Sequence, residues 1–308
     1  MIANEPVIAG FERMCEKYPG KTALIYLDES FSYAELKELI DRFSTALYDL
    51  GVRDNDKFML YIGNCPQFVI AYYGIQQIGA IPVPIAPIYT HVEIKYLIND
   101  SGSETIICQD TNFGYVKRVF SDTCLKRVIV TKPVDLLPWW KRGLGKLLDK
   151  IPHGAVEKGK EVYFFKDLIR KYPPQPPKVT INPKEHLAYI LYTGGTTGIP
   201  KGCQGTHSTY VAELYDSHKV TKGYWKEGEE VFIMVTPLFH ALAILAIMSW
   251  SISLGNTTII MPEIDEDAIL EAIQRYKGTI FTGVPSIYRR LLENDRIDLY
   301  DLSSLKYC

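Results

Sequence analysis

The 308-residue sequence has almost no net charge and no apolar run long enough to cross a bilayer. Because its formal net charge is -2, no overall positive field attracts it to nucleic acid, and we expect no nucleic-acid partner. The longest apolar run, residues 241–250, has about half of the roughly 20 residues that span a membrane, so it predicts a buried helix. The first ten residues lack the basic and apolar segments of a secretory signal peptide. We therefore expect a cytoplasmic protein.

The six cysteines and six histidines show no metal-binding pattern. No two cysteines are spaced as Cys-x-x-Cys, and no group of histidine, cysteine and aspartate has the spacing of a zinc site. Reduced thiols are the expectation for a cytoplasmic chain, and His207 is interpreted as structural. The sequence thus predicts no metal ion held by protein side chains.

Helix and strand patterns alternate along most of the chain. Two capping boxes, Ser32 with Glu35 and Thr90 with Glu93, mark helix starts, and Gly51 ends the helix that follows the first of them. Further helices are predicted at residues 66–78 and 265–277. Runs rich in β-forming residues occur at 57–62, 105–108, 127–131, 187–192, 231–235, 257–261 and 279–281. This alternation indicates an α/β fold of mainly parallel sheets flanked by helices.

Residues 133–177 interrupt the alternation and predict an insertion or linker at the surface. They contain Trp139, Trp140 and a cluster of prolines between residues 172 and 177. From residue 131 to residue 160, seven lysines and arginines stand against three acidic residues, and leucines and tryptophans interleave with them at 136–150. Two hypotheses remain open: a solvated surface element, or a peripheral contact with the inner face of the membrane through 136–150, in which aromatic rings lie at the interface and lysines face anionic head groups.

Residues 192–202 read YTGGTTGIPKG and predict a phosphate-binding loop. Glycines let backbone amides approach an anion closely, threonine hydroxyls add donors, and Lys201 adds a positive charge. The glycines are Gly194, Gly195 and Gly198, and the threonines are Thr193, Thr196 and Thr197. A lone cluster of this kind can equally be a flexible turn, but a strand before it and a helix after it, through about residue 222, would place the loop beside a helix N-terminus. The order of residues differs from that of a Walker loop.

This string resembles the phosphate-binding signature of the adenylate-forming superfamily, which includes acyl-CoA synthetases, peptide-synthetase adenylation domains and luciferases. The resemblance extends over nearly all the chain, because four more segments are similar to family motifs. These are residues 31–36, 79–84, 236–240 and 282–285. Many members have serine where this chain has Gly194. The resemblance implies the large N-terminal domain of such an enzyme over residues 1–308.

By resemblance, the reaction has two steps. A carboxylate attacks the α-phosphate of ATP, giving acyl-AMP and pyrophosphate, and the thiol of coenzyme A then takes the acyl group. The resemblance implies that the loop and Lys201 hold the phosphates, with Mg²⁺ on them, and that His240 lies beside the phosphates and the entering carboxylate. Gly283, Val284 and Pro285 are expected to line the acyl site. His240 is expected to orient or gate the substrate, since a carboxylate needs no general base at neutral pH.

Several alternatives remain for the substrate and for the class of protein. A fatty acid is the first expectation, and an aryl or alicyclic carboxylate is the second. A peptide-synthetase-type adenylation domain is less favoured, because residues 232–239 lack the aspartate that grips an amino-acid substrate in that branch. A truncated nucleotide-binding remnant is the alternative outside the enzymes.

By resemblance, the adenine pocket, the ribose-binding aspartate and the C-terminal-domain lysine lie beyond residue 308. We therefore expect the large domain to be incomplete at its C-terminal end and the C-terminal domain to be absent. Each missing charged hydrogen-bonding group commonly costs ~1.5–3 kcal/mol, so the loss of two weakens ATP binding by orders of magnitude. A sheet edge left unpaired after Lys306 would also favour self-association, for example as a homodimer.

The isolated 308-residue chain is accordingly predicted to release no acid-dependent pyrophosphate from ATP and to self-associate. Pyrophosphate release and light scattering after size-exclusion chromatography measure the two properties. A monodisperse chain that forms acyl-adenylate would contradict this expectation.

Overall fold

The computed structural model describes residues 4–141, 153–194, 198–221 and 224–308. The chain divides into two compact units: a first unit of residues 1–37 and 208–308, and a second unit of residues 38–207. The single large domain expected from the sequence stays a prediction. No helix within the described ranges is long and apolar enough to cross a membrane.

The first unit contains a five-stranded sheet in the order β12-β10-β11-β1-β2. Its strands are β1 (Thr22–Tyr26), β2 (Glu29–Ser32), β10 (Val231–Met234), β11 (Thr257–Ile260) and β12 (Ile280–Thr282). Its helices are α1 (Val7–Lys17), the start of α2 (Tyr33–Asp49), most of α7 (His207–Val220), a π-helix (Leu242–Met248), α8 (Ser249–Ser253), α9 (Glu266–Tyr276) and α10 (Pro285–Leu292). All pairs in the sheet are parallel except the β1–β2 hairpin.

The second unit contains a parallel five-stranded sheet in the order β4-β3-β5-β6-β7 and a separate two-stranded hairpin of β8 and β9. The strands are β3 (Lys57–Tyr61), β4 (Ile81–Pro84), β5 (Thr105–Gln109), β6 (Arg127–Thr131), β7 (Val162–Phe164), β8 (Leu187–Tyr192) and β9 (Gly202–Thr206). The helices are α3 (Pro66–Gln77), α4 (His91–Ser101), α5 (Phe113–Val119) and α6 (Phe165–Lys171), together with the rest of α2. The predicted α/β fold of mainly parallel sheets is confirmed.

Local sequence signals fix several element ends. The Glu35 carboxylate accepts a hydrogen bond from the Ser32 amide at 2.8 Å, and the reciprocal capping box of Thr90 and Glu93 opens α4. Pro66 begins α3 at the position where a missing amide costs nothing, and residues 66–76 of this helix are all buried. The predicted buried helix at 241–250 is also present, but its first part is a π-helix.

Two sequence-based expectations were wrong. Residues 162–171 are not a surface insertion, because β7 pairs with β6 in the sheet and Phe165 of α6 is fully buried. The chain after Lys201 is not a helix: residues 202–206 form β9, which pairs antiparallel with β8, and α7 begins only at His207. The predicted loop is therefore the turn of a β-hairpin and does not adjoin a helix N-terminus.

Gly205 lets the two strands of this hairpin approach closely. It is buried, and a Cβ atom added there would lie 2.3 Å from the Tyr189 ring. A glycine is required at this point because the aromatic ring of β8 occupies the space of a side chain on β9.

Gly205→Ala is predicted to lower the free energy of unfolding by ~1–3 kcal/mol, because the Tyr189 ring must move away from its packed position. The matched control is Gly114→Ala in α5, where an added Cβ meets nothing within 4 Å and alanine favours the helix. Urea unfolding of both variants measures the difference. Equal stability of the two variants would show that Tyr189 does not pack against Gly205 in this way.

Candidate functional site

The ends of the predicted phosphate-binding loop, called the phosphate loop below, pair with each other where β8 and β9 end. Tyr192 stands opposite Gly202 in the strand register, and the Thr193 amide donates to the Lys201 carbonyl at 3.0 Å. The Lys201 amide donates in turn to the Thr193 side-chain oxygen at 3.2 Å. These two bonds join Thr193 and Lys201 at the two ends of the loop, which we call its mouth.

The described part of the loop is open to solvent. Thr193, Gly194, Gly198 and Lys201 are exposed, and a Cβ added to either glycine would meet nothing within 4 Å. Packing therefore does not demand glycine at these two positions, whereas close approach of an anion to the backbone does. The other predicted loop residues, Gly195, Thr196 and Thr197, lie outside the described residues.

His207, at the other end of β9, has a different environment. It is 1% exposed, and burial, together with the neighbouring His186, lowers its pKa to about 4. The ring is therefore neutral at physiological pH. This burial agrees with the structural role inferred from the sequence.

His240 lies in the first unit, beyond the carboxyl end of β10. A short turn presents it: the His240 amide donates to the Pro237 carbonyl at 3.0 Å, and its own carbonyl accepts from Ile244 in the π-helix. The imidazole is exposed on one side and lies against the Phe239 ring, with 4.3 Å between ring centroids. Partial burial lowers the pKa of His240, which favours the neutral ring at neutral pH.

The predicted acyl-site residues follow the adjacent strand of the same sheet. β10 and β12 are parallel neighbours, so the chain after β10 and residues 283–285 leave the sheet at the same edge. The Thr236 hydroxyl donates to the Thr282 carbonyl at 3.3 Å, which links the two segments. Gly283 is partly buried, Val284 and Pro285 are exposed, and Pro285 begins α10. Within the first unit, the structure thus brings the segment of His240 close to the predicted acyl-site segment.

Two tyrosines that sequence reasoning missed hold these segments. The Tyr288 hydroxyl accepts from the Gly283 amide at 3.2 Å and donates to the Phe281 carbonyl at 3.0 Å. The fully buried Tyr210 contacts the π-helix that follows His240, with its hydroxyl 3.1 Å from the Ile244 carbonyl. Short π-helices are frequent at functional sites. Because Tyr210 and Ile244 are 34 residues apart, no local sequence pattern predicts this contact.

In the part of the chain that the structure describes, no group of three or more histidine, cysteine or acidic side chains is placed to hold a metal ion. The loop and the His240 segment offer backbone amides, hydroxyls, one lysine and a neutral imidazole. Such groups suit the positioning of phosphates and of a carboxylate.

A family model described as AMP-binding enzyme matches residues 11–308. The chain belongs to the AMP-binding enzyme family. The match includes both compact units, the loop, His240 and residues 283–285. It confirms the family resemblance that the loop sequence indicates.

Two relatives illustrate the range of the family. A long-chain-fatty-acid–CoA ligase of Bacillus subtilis (strain 168) is 31% identical over 301 residues, which are 95% of this chain and 52% of the relative. A 4-coumarate–CoA ligase 1 of Solanum tuberosum is 29% identical over 282 residues, 91% of this chain and 47% of the relative. The chain therefore spans about half the length of the curated relatives it matches.

The fold is also that of a solved member of the group. The crystal structure of a long-chain-fatty-acid–CoA ligase from Archaeoglobus fulgidus matches this chain with a TM-score of 0.82 at 24% sequence identity. The match covers 100% of this chain and 57% of that protein. This likeness shows a shared architecture for the AMP-binding enzyme fold.

Proposed function

We propose that the chain is part of an ATP-dependent acyl-CoA synthetase. The enzyme activates a carboxylic acid as its acyl-adenylate, releases pyrophosphate, and forms the thioester with coenzyme A. The observation that carries the proposal is the closed hairpin loop, which exposes Gly194, Gly198 and Lys201 with open space above both glycines. The named activities of the Bacillus and Solanum relatives support the same reaction class.

In this proposal the loop binds the β- and γ-phosphates of ATP. Its amides and hydroxyls accept the charge that develops on the leaving pyrophosphate, and Lys201 adds a positive charge. Mg²⁺ bound to these phosphates would neutralise part of their charge. The absence of a side-chain metal cluster among the described residues is compatible with a metal ion held by the nucleotide.

The acid is proposed to enter at the sheet edge formed after β10 and β12. His240 orients the carboxylate or gates its entry, since its neutral ring offers one donor and one acceptor, and the acid is already ionised at neutral pH. Gly283, Val284 and Pro285 line the acyl side. A fatty acid is the first choice of substrate, and the Solanum relative keeps an aryl carboxylate as the alternative. The absence of an acid at residues 232–239 disfavours a peptide-synthetase-type adenylation domain, and a nucleotide-binding remnant is the alternative without catalysis.

We also propose a peripheral membrane contact through residues 136–150. Trp139 is 79% exposed and Trp140 is 52% exposed, whereas Leu137 is buried and fixes the start of the segment. Indole rings that are exposed to solvent can become buried only against a partner surface. The nearby lysines favour a partner surface with negative charge. Residues 142–150 of this segment lie outside the described residues.

Replacing Thr196 and Thr197 together by alanine in the full-length protein, of which this chain is a part, is predicted to slow acyl-AMP formation. Each lost hydrogen bond to a charged phosphate raises the free energy of the adenylation transition state by ~1.5–3 kcal/mol. Transfer from preformed acyl-AMP to coenzyme A should change much less. Thr123→Ala, which removes a hydroxyl that donates to the Phe120 carbonyl, is the matched control. Equal loss in both half-reactions would indicate a folding defect and count against phosphate binding.

Trp139→Ala combined with Trp140→Ala is predicted to weaken cosedimentation with anionic phospholipid vesicles, and added salt should weaken it further. The control is Leu292→Ala with Leu299→Ala, two other apolar side chains that are each 75% exposed. If neither the tryptophan changes nor salt alters vesicle binding, the membrane contact does not exist.

A further inference from the structure

One helix holds both ends of the phosphate loop. Tyr192, the first residue of the loop sequence, donates from its hydroxyl to the Asp100 carboxylate at 2.6 Å. At the other end, the Tyr96 hydroxyl lies 3.1 Å from the Pro200 carbonyl. Tyr96 and Asp100 are four residues apart on α4, so they share one face of that helix. All four residues belong to the second unit.

The Tyr96 hydroxyl also lies 3.3 Å from the second oxygen of Asp100. A phenol has one proton and can donate to one acceptor at a time. The Tyr96 hydroxyl therefore donates either to the Asp100 carboxylate or to the Pro200 carbonyl. The bond from Tyr192 to the carboxylate is charge-assisted and is the stronger of the set. Asp100 therefore fixes the entry of the loop, while Tyr96 holds or releases its exit.

The position of Asp100 is not explained by the stability of its own helix. It is the second-last residue of α4, where the helix dipole disfavours a negative charge. Within the described residues, no lysine, arginine or histidine forms an ion pair with it. Its hydrogen-bonded partners are the two tyrosine hydroxyls, and both of these reach the loop ends. Asp100 thus lowers the stability of α4 and bonds to the tyrosines at both loop ends. We infer that its role is to hold the loop.

We propose that Asp100 and Tyr96 are positioning residues that keep the mouth of the phosphate loop closed on its ligand. They hold Tyr192 and Pro200 at a fixed separation, so that the bonds between Thr193 and Lys201 persist when phosphate charge pulls on the loop. This inference rests on the proposed function of the loop. It assigns no contact with substrate to either residue.

Hydrogen exchange of the folded protein, followed on the peptide that spans residues 190–204, measures whether the two ends of the loop separate. Asp100→Ala is expected to lower the protection of the Thr193 and Lys201 amides by roughly tenfold, and Tyr96→Phe by less, because a neutral bond is weaker than a charge-assisted one. Tyr192→Phe combined with Asp100→Ala should add little to Asp100→Ala alone, since both remove the same bond. The urea midpoint of Asp100→Ala should stay unchanged or rise, because alanine suits the end of α4 better.

The matched control is Asp122→Asn, which removes a carboxylate paired with Lys95 of the same helix at 2.8 Å. It should leave loop protection unchanged. If Asp100→Ala behaves like this control, the bracing role is wrong, whatever the loop binds.

Adenylation by the full-length protein separates the inference from the proposed function. Asp100→Ala should raise the KM for ATP and lower kcat/KM for pyrophosphate formation by roughly tenfold, and Asp100→Asn, which keeps an acceptor for Tyr192, should recover part of this loss. Loss of amide protection without any change in adenylation would contradict the assignment of the loop to ATP phosphates. Unchanged protection would contradict the bracing role alone.

Discussion

The closure of the hairpin at Thr193 and Lys201 is the interaction on which the proposed chemistry depends. Backbone amides can bind phosphate only when the chain between the two strands is held as a turn, and the register of Tyr192 opposite Gly202 holds it. Gly205 permits this register by leaving room for the Tyr189 ring. The strand pairing that stabilises the hairpin therefore also sets the positions of the two loop ends.

The mainly parallel sheet of the first unit supplies the second constraint. Because neighbouring parallel strands end at the same edge, β10 and β12 deliver the His240 segment and residues 283–285 to one place with no long loop between strand and site. Tyr288 and Tyr210 then fix the backbone by bonding to carbonyl and amide groups that the strand ends and the π-helix present. The apolar helix after His240 follows from the sequence, whereas the sequence pattern does not predict its π form.

Local chemistry explains why much of the fold could be predicted. The two capping boxes, the proline that begins α3 and the β-rich runs act over a few residues, and each of them is found in the structure. The failures are non-local: β9 contains two glycines and has weak strand character until β8 pairs with it, and β7 is a three-residue strand defined by β6. The bracing of the loop by Asp100 crosses 92 residues of sequence, so it could not be predicted from the motif. The sequence motif predicts the loop, and the structure adds the contacts that Tyr96 and Asp100 make with its ends.

The role proposed for this loop is in acid-dependent adenylation. The most direct measurement is exchange of labelled pyrophosphate into ATP by the full-length protein, with fatty, aryl and alicyclic acids compared at equal concentration. We expect exchange that requires an added carboxylic acid, is fastest with a fatty acid, and is lost when Lys201 is replaced by methionine. ATP binding without acid-dependent exchange for any carboxylate would contradict it.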